Sequence, residues 1–227
     1  MKVIITRPQE DAALLSFKLK ARGHQPIILP LLNIVVRSGV EIPLRDYQAI
    51  CLTSANAVRV LARISALKDI PVLAVGPQSM QVAIDKGFLR VTAQGGDVIG
   101  LHNYILNNLK PEFGPLLYLS GAETSGDLEG KLQQSDFAVD RIITYDAQPS
   151  SLAGHQSEII SANAVVLYSP RSAKLWVKEI TALNLEEKAA HIKHVCLSAN
   201  VAACLPQSWP IATALIPQES ALLSLLD

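Results

Sequence analysis

The chain has 227 residues, 49% of them hydrophobic and 18% charged, with Lys+Arg and Asp+Glu balanced at 20 each. That much apolar content supports real cores and argues against long disorder, and the length admits one large domain or two small ones. The neutral balance offers no basic excess for a nucleic-acid partner and no like-charge tail, but it leaves room for a polyanionic small molecule held by local donors.

Val3 to Thr6 reads as a short strand, followed by Arg7-Pro8 and a helix from about Glu10 to Arg22 that ends at Gly23. Pro26 to Leu29 is the next strand. Pro30 to Arg37 stays extended, with β-branched Ile34, Val35 and Val36. Pro30 lacks a backbone donor, so this segment suits a linker or the edge of a ladder. Tyr47 to Thr53 is an apolar strand that stops at Ser54-Ala55-Asn56, and a helix over Ala55 to Leu67 follows, with Val58, Leu61, Ala62, Ile64 and Ser65 in its periodic pattern. Pro71 to Val75 is a strand, Gly76-Pro77 a turn, and Gln78 to Lys86 a helix capped by Gly87. Phe88 to Thr92 is a short strand. A helix then runs to about Leu109 with Asp97 as its N-cap.

Leu116 to Ser120 opens the second half. Ser120-Gly121 leads to a helix through Leu128 and Leu132, and Ala138 to Tyr145 is extended. A helix near Leu152 to Ile160, the strand Ala164 to Tyr168 and a helix after Ser169-Pro170 follow. The strand His194 to Leu197, a helix from Ala199 to Leu205, the strand Ile211 to Leu215 and a last helix, Ser220 to Leu226, complete the chain. Short apolar strands alternating with helices argue for parallel sheets.

The order also repeats. Leu52-Thr53-Ser54-Ala55-Asn56 has a counterpart in Leu167-Tyr168-Ser169-Pro170-Arg171, about half the chain away. Thr6-Arg7-Pro8 corresponds to Leu119-Ser120-Gly121, and Ala74-Val75-Gly76-Pro77 to Cys196-Leu197-Ser198-Ala199. The expected fold is α/β, with two similar domains, each a parallel five-stranded sheet flanked by helices, joined by a two-stranded ladder and facing a common cleft. Residues 1–33 plus 147–227 make one domain and 38–142 the other, with crossings at about 29–37 and 141–146.

Ligands of open parallel sheets bind beyond the carboxyl ends of the strands. Those ends carry Thr6 and Arg7, Ser54 and Asn56, Gly76 and Ser79, Ser120 and Gly121, Ser169 and Arg171, and Ser198 and Asn200. Most are small, hydroxylated or amide-bearing, and each is expected just before a helix, whose free amides favour anions. The plainer reading of any one such Ser or Asn is a helix cap. Arg7 and Arg171 could pair carboxylates bidentately or form internal ion pairs. Tyr145, on a crossing strand, could reach the cleft with its hydroxyl, or pack as an ordinary strand tyrosine.

Other constellations are thin. Cys51, Cys196 and Cys204 lack metal-ligand spacing and read as reduced thiols, Cys51 and Cys196 within apolar runs. The five histidines show no ligand pattern, and His191 and His194 are expected at the surface. No glycine-rich phosphate fingerprint follows the first strand, and no nucleophile elbow surrounds Ser54. The apolar run after Met1 is too short for a signal peptide and none is long enough for a membrane span, so a cytoplasmic protein without membrane partners is expected.

Taken with Ile5-Thr6-Arg7-Pro8, Leu29-Pro30-Leu31, Gly76-Pro77-Gln78-Ser79 and Thr144-Tyr145, these motifs give the chain a resemblance to the uroporphyrinogen-III synthase family over nearly its whole length. The resemblance implies two α/β domains with the active site between them. It implies conversion of hydroxymethylbilane to uroporphyrinogen III with no cofactor; from the residues, no metal site is expected, and the chain is expected to be a monomer. It makes Tyr145 the proton donor to the leaving hydroxyl and makes Ser54, Asn56, Gly76, Ser79, Ser169 and Arg171 carboxylate contacts. Three places depart from the family pattern: Ser198 stands for a glycine, Asn200-Val201 for paired threonines, and Ser125-Gly126 where an arginine is frequent. These departures motivate the alternative of a non-catalytic two-domain binding protein for tetrapyrroles or other polycarboxylates.

Overall fold

The computed structural model describes residues 1–61 and 67–227, so the middle of the helix expected over Ala55 to Leu67, with Ala62, Ile64 and Ser65, lies outside the described residues. The first elements are β1 (Lys2–Ile5), α1 (Gln9–Ala21), β2 (Gln25–Ile28), β3 (Leu32–Val36), β4 (Ala49–Leu52) and α2 (Ala55–Leu61). They continue with β5 (Val72–Ala74), α3 (Pro77–Asp85), β6 (Val91–Ala93), α4 (Val98–Asn108), β7 (Leu116–Gly121), α5 (Leu128–Gln133) and β8 (Val139–Pro149). The rest comprises α6 (Gln156–Ser161), β9 (Ala164–Leu167), α7 (Pro170–Ala182), α8 (Glu186–Ala189), β10 (Lys193–Cys196), α9 (Ala199–Ala202), β11 (Ile211–Thr213) and α10 (Glu219–Leu223).

The chain divides into two compact units, Met1–Asn33 with Gln148–Asp227, and Ile34–Ala147. The first unit holds a sheet of order β11-β10-β9-β1-β2 whose neighbours all pair parallel. Its central strands are buried on both faces. Ile4, Val165 and Leu167 pack with Trp176, Ile180 and Trp209, while Val3, Ile5, Ala164 and Val166 pack with Leu15, Leu19 and Leu222. Two-sided burial is why these strands read as unbroken apolar runs rather than alternating ones.

The second sheet has the order β3-β8-β7-β4-β5-β6. The expected five strands are joined by β3, an edge strand beside β8: the segments read as a two-stranded ladder do pair, but as part of this sheet, which is therefore larger than the sequence suggests. Pro30 precedes β3 rather than interrupting it, and an edge position tolerates the half-paired backbone. Both unit boundaries fall within this neighbouring pair of strands. Ile50, Leu52, Leu117 and Leu119 face one core, with Tyr145 in it; Ala49, Cys51, Leu116 and Tyr118 face the other.

Local chemistry sets the element ends. Gly23 and Gly87, at φ +78 and +85, follow the last turns of α1 and α3, where a side chain would be strained. Asp97 caps α4 by accepting from the Gly100 amide at 2.8 Å, as its position before the apolar run predicts. Among the described residues, no helix is long and apolar enough to cross a membrane.

Candidate functional site

In the second unit the carboxyl ends of β4, β5, β7 and β8 gather several of the predicted residues. Ser54 accepts from the Asn56 amide at 3.2 Å, which shapes the turn into α2, and the Asn56 side chain accepts from Arg59. Gly76 is the extended N-cap of α3, and Ser79 is buried in that helix's first turn. A Cβ on Gly76 would meet nothing within 4 Å, so the α3 entrance is open.

Ser120 and Gly121 sit differently from expectation. They do not start a helix: β7 runs through Gly121, and α5 begins only at Leu128, capped by Asp127 accepting from the Gly130 amide at 2.8 Å. Ser120 is fully buried, and its hydroxyl accepts from Arg141 Nε at 2.9 Å. The same guanidinium donates to the carbonyls of Gly121 at 3.2 Å and Ala122 at 3.3 Å, and pairs with Glu129. It also lies over the Tyr118 ring, and Tyr118 Oη is 3.2 Å from Thr53 Oγ1. Burial, above all, raises the Tyr118 phenol from its ordinary range.

Tyr145 is 7% exposed and packs directly on Gly121. A Cβ at Gly121 would come within 2.7 Å of Tyr145 Cζ and 2.9 Å of its hydroxyl oxygen, so only glycine fits beneath this ring. The pairing of β7 with β8 shifts here: Ser120 pairs with Ile143, but Gly121 pairs with Tyr145, leaving Thr144 as an extra residue. Buried Thr144 donates through Oγ1 to the Ser120 carbonyl at 3.2 Å.

In the first unit the corresponding strand ends are more self-contained. Thr6 is buried and donates to the Val166 carbonyl at 2.8 Å, tying β1 to β9. Arg7 pairs with Asp11 at 2.9 Å and Glu219 at 3.4 Å, and it stacks 4.7 Å above the Tyr168 ring. Glu219 also accepts from Lys18 and Tyr168. Burial, then the negative charge of Glu219, pushes the Tyr168 phenol well up. Arg7 is therefore engaged by carboxylates of its own chain. Ser169 is both cap and rim residue: it accepts from the Ser172 amide at 3.1 Å, and Ser172 Oγ accepts from the Ser169 amide at 3.1 Å, a complete capping box with Pro170 in the first turn. Arg171 is half-buried in that turn, and Asn200 is exposed in the four-residue α9.

The departures from the family pattern acquire structural reasons. Ser198 adopts φ −155 and ψ 166, extended backbone open to any residue, so glycine is not required there. Val201 is buried in the first unit's core, so its side chain serves packing. Gly126 has φ +126, a conformation that favours glycine over arginine.

Sequence reasoning missed Arg141, Tyr118, Tyr168 and the role of Glu219. Arg141 had a usable signal, a lone basic residue four positions before Tyr145 on an extended apolar segment. His194 is a correction: it is fully buried, not at the surface. Trp176 Nε1 donates to His194 Nε2 at 3.0 Å, its Nδ1 lies 3.3 Å from the Pro210 carbonyl, and Trp209 stacks on it at 4.7 Å. Burial pushes this imidazole down to about 4, so it is neutral at pH 7. Burial raises the Cys51 thiol to about 12 and the Cys196 thiol to about 11, which makes both unreactive. Among the described residues, no cluster of three His, Cys, Asp or Glu side chains could hold a metal.

These features define an α/β protein of two mainly parallel sheets, with hydroxyl, glycine and arginine groups at the strand ends. The sequence profile of uroporphyrinogen-III synthase HemD matches residues 14–227, and the chain belongs to that family. A candidate uroporphyrinogen-III synthase of Methanocaldococcus jannaschii is 43% identical over 58 residues, a match spanning 26% of this chain and 24% of that protein's length. The crystal structure of uroporphyrinogen-III synthetase from Helicobacter pylori superposes with a TM-score of 0.68 at 18% identity, covering 99% of this chain and 97% of that one. A mutant uroporphyrinogen III synthase from the extremely thermophilic bacterium Thermus thermophilus gives 0.58 at 13% identity, covering 100% and 96%. At such identities these two likenesses concern the fold.

Proposed function

We propose that the chain is an enzyme, a cyclising hydro-lyase that converts hydroxymethylbilane to uroporphyrinogen III without a cofactor, as a monomer in the cytoplasm. The observation that carries the reading is the family match over residues 14–227. In the reaction the terminal hydroxyl leaves as water, giving an azafulvene. Attack at the substituted position of ring D gives a spiro intermediate, which fragments and recloses with that ring inverted.

Tyr145 donates the proton that makes hydroxide leave as water, since a phenol holds its proton at neutral pH. Each unit offers donors for the substrate's carboxylates at its own strand ends: the amides at the start of α3 with Ser54 and Asn56 in the second unit, and the amides at the start of α7 with Arg171 and Asn200 in the first. Thr6, Arg7, Ser120, Gly121 and Ser198 act mainly through the backbone they hold in place. Holding the bilane so that one closure outruns the other is a matter of positioning more than of acid–base strength. The test is to supply freshly generated hydroxymethylbilane and separate the product isomers. Isomer III formed faster than spontaneous closure supports the reading; isomer I alone at the spontaneous rate rejects it.

A second reading, a binding protein for tetrapyrroles without catalysis, is favoured by the internal commitment of Arg7 to Asp11 and Glu219. Tight product binding with an unchanged isomer ratio would establish it.

A further inference from the structure

The residue after the β7–β8 irregularity points to a different face than strand alternation would give it. Val139 packs in the core of Ala49, Cys51 and Tyr118, and Arg141, two positions on, lies over Tyr118 on that same face. Ile142 packs in the opposite core, with Leu117 and Leu119. Unbroken alternation would return residues 143 and 145 to the Tyr118 face. Tyr145 instead lies in the core of Ile142, Leu117, Leu119 and Ala147. One extra residue on β8, Thr144, accounts for the switch, since Ser120 pairs with Ile143 and Gly121 with Tyr145. A bulge of this kind re-aims the next side chain.

Two side-chain features hold the switch in place. Thr144 Oγ1 donates to the Ser120 carbonyl at 3.2 Å, on the residue opposite the bulge. Gly121 then leaves the volume that the Tyr145 ring occupies, since a Cβ there would fall 2.7 Å from Cζ. Arg141 braces the same strand end from the other face, through Ser120 Oγ and the Gly121 and Ala122 carbonyls.

We propose that Thr144 and Gly121 are positioning residues for Tyr145, the bulge turning the phenol to its working face and the bare glycine seating it; the role rests on the synthase reading. Neither residue need touch the bilane. Both act through the one phenol, so their effect on rate vanishes when the phenol is gone.

The experiment is a double-mutant cycle with an independent view of the ring. Isomer III formation is timed for the wild type, Thr144→Val, Gly121→Ala, Tyr145→Phe and the two doubles with Tyr145→Phe, and for Thr144→Ser as the conservative rescue. The expected result is a roughly tenfold loss of kcat in Thr144→Val and Gly121→Ala, with KM within about twofold. Thr144→Ser recovers most of that loss, and each double is no slower than Tyr145→Phe alone. In 3-fluorotyrosine-labelled protein, the Tyr145 fluorine resonance shifts in Thr144→Val and Gly121→Ala while the other four tyrosines stay put. Losses that multiply in the doubles, unchanged kcat in both single variants, or an unmoved Tyr145 resonance overturn the proposal. A wild type that forms only isomer I overturns the synthase reading and the positioning role together, which is distinguishable from an active wild type with multiplying losses.

Discussion

Tyr145 is the side chain on which the proposed chemistry turns. It is seated on Gly121 and almost fully buried, so its removal as Tyr145→Phe leaves the packing largely intact. The variant should lose about 100-fold in kcat, as expected for one general acid, while product affinity by titration calorimetry stays within about twofold. An unchanged rate would assign the tyrosine to packing. His194 makes a separate prediction. Its folded value of about 4 lies below the ordinary 6.5, so the unfolded chain binds the extra proton first. Stability is therefore full above pH 6.5 and falls as pH drops toward 4, by up to about 3 kcal/mol. Urea midpoints measured across that range should show the fall, and His194→Asn should flatten it. Tyr145 stands out in the sequence because it follows Thr144 in a motif. His194 was not, because nothing in the linear pattern says that Trp176 and Trp209 enclose it.

Among the elements, α7 shows how a residue at a strand end first serves the fold. Ser169 closes a capping box with Ser172, so Ser169→Ala should cost about 1 kcal/mol, read as a lower urea midpoint at unchanged slope. If the hydroxyl also meets substrate, KM rises beyond what the stability change explains. The repeat inferred from sequence has a backbone counterpart. Gly76 before α3 has φ −154 and ψ 170, and Ser198 before α9 has φ −155 and ψ 166, so the two half-chains turn from strand to helix alike. The apolar runs of β1, β4, β7, β9 and β10 were readable for the same physical reason, burial on both faces. Two features were not readable. The helix α8 has only four residues, too few for a periodic signal. The bulge at Thr144 depends on pairing with β7, which no local pattern on β8 encodes.

At the level of the whole molecule, each unit carries its own paired cores, one on either side of its sheet. The sequence shows 29–37 and 141–146 as a two-stranded ladder, and β3 does lie beside β8; it does not show that the pair extends the second sheet, because β3 is half exposed and follows a proline, which makes it look like a connector. A ligand that binds only the folded chain should stabilise it by mass action. Product at 100 times its Kd should add about 2.7 kcal/mol, visible as a rise in Tm that depends on product concentration. The central claim is that this chain steers an open tetrapyrrole into ring inversion by way of one phenol. It is tested most directly by single-turnover reaction of hydroxymethylbilane with wild type and Tyr145→Phe at equal concentration, resolving isomers I and III over time. Isomer III should dominate with the wild type and form about 100-fold more slowly with Tyr145→Phe; isomer I alone from both, at the rate seen without protein, would contradict it.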